Sequence, residues 1–270
     1  PEYAKAGMGD PRAFASYMMY LELASAWPAE KLGLKLPPKK TKPPYHCSAS
    51  LGAGRNSLEK FACVVADQDS ALLQDGGNAD CFGDPEIWRP WFAEYRALPN
   101  KPFTSLKQAT DPVAVWFADV KSDEKTQDGL YFYAVNRARW PVSLDLTLAG
   151  CQNVTRLTSN QSVKLENGQL KLDLQPYAIR AYRAAPGAAI TNAKTSIPKA
   201  MTDYIHRRIA FAQKLRENIP DGAIAQGELT AYDHALAIAW TALENKAYWR
   251  ARSVLRSAPM MRVYEMTGQM

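Results

Sequence analysis

The residues with most to offer a reaction follow two short apolar runs within the first hundred positions. His46 and Cys47 come directly after Pro44-Tyr45, while Asp75 and Asn78 follow Leu72-Leu73-Gln74 on either side of Gly76-Gly77. A strand-end histidine can shuttle a proton or hold a hydroxyl group, and it serves as readily as a structural hydrogen-bond partner, so both readings of His46 stay open. Asp75 offers a carboxylate for acid–base or nucleophilic work; an Asp ahead of two glycines also makes a turn with no catalytic need. His46 beside Cys47 has the composition of a thiolate nucleophile and its base, but adjacent strand residues point to opposite faces and cannot pair. Gly52-Ala53-Gly54 precedes a helix as a phosphate loop would. Ser57 occupies the place of the third glycine of a dinucleotide fingerprint, which leaves a flexible loop carrying Arg55 and Asn56. The four cysteines, Cys47, Cys63, Cys81 and Cys151, have no C-x-x-C spacing, so they read as scattered buried thiols rather than a zinc site or a disulfide framework. Neither a metal nor a cofactor is expected.

Composition bounds the rest. At 270 residues, 47% hydrophobic and 22% charged, the chain can bury real cores and has room for more than one domain. The longest apolar stretches, such as 235–240, fall far short of the roughly 18–20 residues that span a bilayer, so no membrane partner is expected. The net charge of +6 is spread over every segment. Its one tight cluster, Lys39, Lys40 and Lys42, lies among prolines and reads as a solvated linker rather than a nucleic-acid arm. The first residues hold neither a basic region nor an apolar core of a leader, so export is not read from them.

Three textures position these residues. From Pro1 to about Pro99, helices alternate with short buried strands. Asp10-Pro11 opens a helix that Pro28 stops, a strand runs over Pro44 to Ser48, and a helix over Ser57 to about Val65. A second strand runs over Ala71 to Gln74, and Gly83-Asp84-Pro85 opens a helix with the stripe Ile87, Trp91, Tyr95, Leu98. From Lys101 to about Ala184 the period drops to two. Seven strands are predicted, at 113–117, 130–136, 142–148, 154–157, 163–165, 169–174 and 178–182, and Asn167-Gly168 predicts a two-residue type I′ hairpin between the fifth and sixth. This reads as a small antiparallel β-sandwich. Beyond a link at 184–189, helical stripes return at Ile205, Ile209, Ala212, Leu215, Ile219 and at Leu229, Tyr232, Leu236, Leu243, with a third helix from Ala247 to Ser257 before Pro259. The resulting domain expectation is α/β at 1–100, all-β at 101–186 and a helical tail at 187–270.

The run Leu72-Leu73-Gln74-Asp75-Gly76-Gly77-Asn78, followed by Gly83 to Pro99, resembles the last strand and last helix of a glycoside-hydrolase (β/α)8 barrel. Leu130 to Asn136 and Pro176 to Tyr182 resemble two strands of the C-terminal β-sandwich that follows such barrels. The resemblance covers roughly Tyr3 to Ala184 and is one of architecture. It implies a multidomain α/β plus all-β chain: a partial (β/α)8 barrel end, a small sandwich and a helical appendage. A barrel needs about 250 residues, and fewer than about 100 precede the sandwich, so the resemblance implies a missing N-terminal barrel portion and a fragment inactive on its own.

Barrel chemistry lies at the carboxyl ends of the strands. The resemblance therefore implies Asp75 as the catalytic carboxylate and His46, Asn78 and Arg55 as substrate-binding residues for a poly- or oligosaccharide. The second carboxyl group that glycoside hydrolysis needs is expected from the missing strands. The alternative is a non-catalytic carbohydrate- or protein-binding module. For it, Trp116, Tyr131, Tyr133 and Trp140 are the sugar-platform candidates, although strand alternation favours a core for most of them. Trp88 and Trp91 are open to the same two readings, as stacking surfaces or packing residues. His206, Arg207, Arg208, Arg250, Arg252 and Arg256 make a basic face on the tail, either solvated or in contact with the other domains. Asn153-Val-Thr155 and Asn160-Gln-Ser162 fit the glycosylation pattern.

Overall fold

The computed structural model describes residues 2–4, 45–48, 58–67, 69, 72–75, 85–107, 111–122 and 126–268. The helix expected at 10–28, the Asp84 cap, the lysine cluster, Asn78, Arg55 and Cys81 lie outside these residues.

In the α/β part, β1 (Glu2–Ala4), β2 (Tyr45–Ser48) and β3 (Leu72–Asp75) form a small sheet in the order β1-β3-β2. β2 and β3 run parallel, connected through α1 (Glu59–Asp67), and α2 (Pro85–Arg96) follows β3. β1 pairs antiparallel with β3 on its other edge. This departs from the all-parallel neighbours of a barrel, and no closed barrel is formed among the described residues.

Nine further strands make two antiparallel sheets. They are β4 (Thr104–Ser105), β5 (Val113–Val120), β6 (Gly129–Asn136), β7 (Val142–Ala149), β8 (Asn153–Arg156), β9 (Ser162–Lys164), β10 (Gln169–Leu174), β11 (Ile179–Ala184) and β12 (Ala189–Ser196). One sheet is ordered β4-β5-β6-β11-β8-β9 and the other β10-β7-β12. All eight residues of β6 are buried. The reason is that the six-stranded sheet is covered on both faces. Tyr131, Tyr133 and Val135 share a core with Phe61, Trp91, Phe92 and Tyr95 of α1 and α2, while Leu130, Phe132 and Ala134 share another with Leu144, Leu146 and Leu172 of the second sheet. A strand enclosed on both sides reads as a continuous apolar run. β7 and β10, with one face free, alternate buried and less buried positions.

Asn167 and Gly168 adopt positive φ, 53° and 73°, and Glu166 and Gln169 exchange both backbone hydrogen bonds, so the predicted turn forms. The hairpin around it does not. β9 pairs with β8 and β10 with β7, in different sheets. The turn is a crossing between layers, because the apolar positions of the two strands are satisfied by different neighbours. β12 is a second departure. It pairs along the whole of β7, in the region read as a link and the start of the tail. Its burial pattern is mostly exposed, with Ala193 the one buried position, so it carries little hydrophobic periodicity to read.

The tail comprises α3 (Lys199–Glu217), α4 (Gln226–Glu244), α5 (Tyr248–Val254) and α6 (Ala258–Met266), with Ile205, Ile209, Tyr232, Ala239 and Tyr264 in one core. Pro259, read as a stop, sits in the first turn of α6, where its missing N–H costs no helical bond.

Candidate functional site

β2 and β3 end level with one another. Ser48 stands opposite Asp75, and His46, two positions earlier, opposite Leu73. The carboxyl ends of a parallel pair are where α/β proteins place ligands, since the loops leaving them cluster at one edge. The backbone therefore places Asp75 and Ser48 at the carboxyl edge of this pair, with His46 two positions further back along its strand. Asn78 and Arg55, which follow β3 and β2 in the sequence, lie outside the described residues.

The scaffold behind these strand ends is sewn to the six-stranded sheet by directed bonds. The last carbonyls of α1 have no partner within the helix. Tyr133 Oη donates to the Val65 carbonyl at 3.2 Å and Trp116 Nε1 to that of Ala66 at 3.1 Å. Asp69, just beyond α1, accepts the Phe103 N–H at 2.8 Å. On α2, Trp91 Nε1 donates to the Tyr177 carbonyl at 2.7 Å. The strongest anchor is Glu94, only 1% exposed. Its Oε1 accepts from Nε of Arg156 at 2.9 Å, from Nη2 of the same guanidinium and from Thr158 Oγ1 at 3.1 Å; Oε2 accepts the Ala181 N–H at 3.0 Å. Burial of a carboxylate is tolerable only with such a full set of donors.

These contacts settle several sequence alternatives. Trp116, Tyr131, Tyr133 and Trp140 are all at most 8% exposed, so none forms a platform on the surface. Trp91 is likewise a packing residue, set edge-on to Phe92 with ring centroids 5.0 Å apart. Burial pushes the Tyr95 and Tyr133 hydroxyls well above their ordinary pKa, with Asp69 adding to the effect, so neither is an acid at neutral pH. Cys63 and Cys151 are free and half-buried rather than fully buried. Burial, with Glu59 and Asp67 nearby, pushes the Cys63 thiol to about 12, which removes it as a nucleophile. No group of three His, Cys, Asp or Glu that could hold a metal occurs among the described residues. No helix among them is long and apolar enough to cross a membrane. Asn153 and Asn160 are exposed, the latter in a turn with φ 52°.

Sequence reasoning missed Glu94 and a second junction around Arg137. The signal for Glu94 was present: position 94 falls within the α2 stripe of Trp91, Tyr95 and Leu98, where a carboxylate has to find partners. Arg137 donates to Asp67 of α1 and to Asp111, each at 2.8 Å, and its guanidinium lies 4.4 Å from the Trp249 ring of α5. Asp111 in turn accepts the Trp249 N–H at 2.6 Å. These contacts join residues 26 to 138 positions apart, and nothing local announces them.

No family model matches the chain, and no curated protein matches it. Several solved structures are similar over part of it. A Bacteroides fragilis protein described as a candidate alpha-galactosidase is 14% identical with a TM-score of 0.34, over 48% of this chain and 28% of its own. A second B. fragilis protein, a candidate alpha-galactosidase/melibiase, is 16% identical with a TM-score of 0.33, over 47% and 28%. A GH27 β-L-arabinopyranosidase of Geobacillus stearothermophilus, in complex with arabinose, is 12% identical with a TM-score of 0.29, over 49% and 30%. The chain thus spans less than a third of the length of these glycoside hydrolases.

Proposed function

We propose that the chain is the C-terminal part of a glycoside hydrolase acting on a poly- or oligosaccharide. In this reading the region 1–100 is the closing sector of a (β/α)8 barrel, the two antiparallel sheets are the β-sandwich that follows it, and the helices are an appendage. The single observation that carries the reading is the β2–β3 pair: parallel strands joined through a helix, ending level at Ser48 and Asp75, with a further helix locked onto the sheets. In an active barrel of this kind Asp75 acts as the acid or the nucleophile, and His46, Asn78 and Arg55 hold sugar hydroxyls beside it. The residue opposite Asp75 on β2 is Ser48, so the second carboxyl group comes from a strand beyond this pair, about 5–9.5 Å away depending on stereochemistry. In a complete ring the place beside β3 belongs to another parallel strand; β1 takes it here, in keeping with a fragment that is inactive by itself.

The role proposed for the sheets is mechanical. Glu94, Trp91, Tyr133 and Trp116 fix the helices that follow the two site strands. The packed aromatics argue against the accessory-module alternative in its sugar-platform form.

The test is hydrolysis of chromogenic glycosides by the full-length natural protein, with and without Asp75→Asn. Loss of about 10²-fold or more in kcat is expected. Undiminished turnover removes Asp75 from the mechanism, and absence of turnover on every α- and β-glycoside offered removes the hydrolase reading.

A further inference from the structure

The two antiparallel sheets end in four edge strands, and three of these are blunted. β4 and β9 are two and three residues long, and β12 shifts register between Ile190 and Asn192. Short strands and bulges are how a sheet avoids recruiting another chain. β10 has neither device. Its residues pair with β7 one for one without a shift, none is a proline, and β10 has no second neighbour among the described residues.

Parity fixes which backbone groups line this edge. In an antiparallel ladder alternate residues turn N–H and C=O toward the neighbouring strand and the others turn them away. The Leu148 N–H donates to the Gly168 carbonyl at 2.8 Å, so Gly168, and with it Leu170, Leu172 and Leu174, face β7. Gln169 faces the other way and exchanges its N–H and C=O with Glu166 in the turn. The N–H and C=O of Lys171 and Asp173 therefore point to the open side. Their side chains are exposed, while Leu170, Leu172 and Leu174 are buried in the core between the sheets.

The run Gln169-Leu170-Lys171-Leu172-Asp173-Leu174-Gln175 reads alike in both directions about Leu172, except that a lysine answers an aspartate. Set antiparallel to a second copy about a two-fold axis at Leu172, the strand places Lys171 of each copy opposite Asp173 of the other. Both residues present free N–H and C=O groups, so each such pair can exchange two backbone hydrogen bonds. Parity permits other registers only in which the axis moves by one residue, to Lys171 or Asp173, and these oppose lysine to lysine or aspartate to aspartate. Opposite charges across strands favour pairing and like charges disfavour it. The charge order already runs this way within the chain: Lys194 of β12 stands opposite Asp145 of β7, and Asp145 opposite Lys171. Asp173 is steadied by Ser143 Oγ at 2.7 Å, and Lys171 has a 3.9 Å pairing with Glu166 that is open to water on both sides.

We infer that β10 is an interface through which two copies of this chain associate, joining their three-stranded sheets across a two-fold axis at Leu172. The interface is isologous and closes on itself, so it yields a dimer and not a filament.

The experiment is sedimentation of the 270-residue chain over a micromolar to millimolar concentration series, with amide hydrogen exchange at both ends of the series. A monomer–dimer equilibrium is expected, in which the Lys171 and Asp173 amides gain protection as dimer forms while those of Leu170 and Leu172 are protected throughout. Lys171→Asp and Asp173→Lys, both at exposed positions, are each expected to raise the dimer Kd about tenfold or more, since each opposes like charges in both pairs. An equimolar mixture of the two variants is expected to associate again, because only unlike copies then oppose lysine to aspartate; recovery on mixing separates a lost interface from a lost fold. The inference is overturned by a monomer throughout the series, by a dimer that either substitution leaves unchanged, by variants that stay apart when mixed, or by protection that grows with concentration elsewhere than on β10.

Discussion

Deleting the Glu94 carboxylate is the sharpest test of how the α/β part is held to the sheets. Glu94→Ala leaves the Ala181 N–H of β11 without an acceptor inside the core, a loss of about 1–3 kcal/mol. It also strips Arg156 of its partner. Breaking a buried pair costs roughly 3–5 kcal/mol in full, but the Arg156 side chain is 33% exposed, so water recovers much of its share. A total near 3 kcal/mol follows, or about 6–12 °C in the unfolding of the segment that contains α2. Glu94→Gln keeps the shape and one acceptor oxygen and gives up the charge-assisted bonds, so about half that loss is expected. Thermal unfolding gives the size of the effect. Hydrogen exchange locates it, with amides of α2 and of Tyr182 and Ala181 losing protection while those of α4 keep theirs. Unfolding of Glu94→Ala within about 1 °C of the parent, with α2 still protected, would refute the argument that this carboxylate is what locks the helix to the sheet.

Gly129 adopts φ +152°, and a Cβ there would stand 2.4 Å from the Ala184 carbonyl oxygen, so Gly129→Ala is expected to lower stability by about 2 kcal/mol or more, measured by urea unfolding. Burial raises the Asp111 pKa above its ordinary value despite Arg137 and the Trp249 N–H. The folded state therefore binds the extra proton between the ordinary and the raised value; stability falls as pH rises through that window and is level above it, and Asp111→Asn is expected to flatten that stretch of the Tm–pH curve. A Cys63 thiol near 12 is about 10⁻⁴ thiolate at pH 8, so mass-spectrometric footprinting with iodoacetamide is expected to leave Cys63 unlabelled in the folded protein and to label it in urea.

What the sequence by itself determined is local and periodic. The α2 stripe, the seven strands of the middle region, the Asn167-Gly168 turn and the apolar faces of α3 and α4 were legible because each is encoded by spacing within a few residues. β6 was legible as a strand, but its enclosure on both sides was not. Tertiary structure alone decided which sheet each strand joins, so that a turn with every mark of a hairpin became a crossing, and β12, almost devoid of apolar period, became the partner of β7. It also decided the fates of charged and aromatic side chains. Glu94 and Arg137 are surface residues by type, and Tyr133 and Trp116 were open to two uses; partners dozens of positions away turned them into clamps and caps. Pairings of that kind depend on which surfaces meet once the layers stack, and spacing along the chain does not carry them.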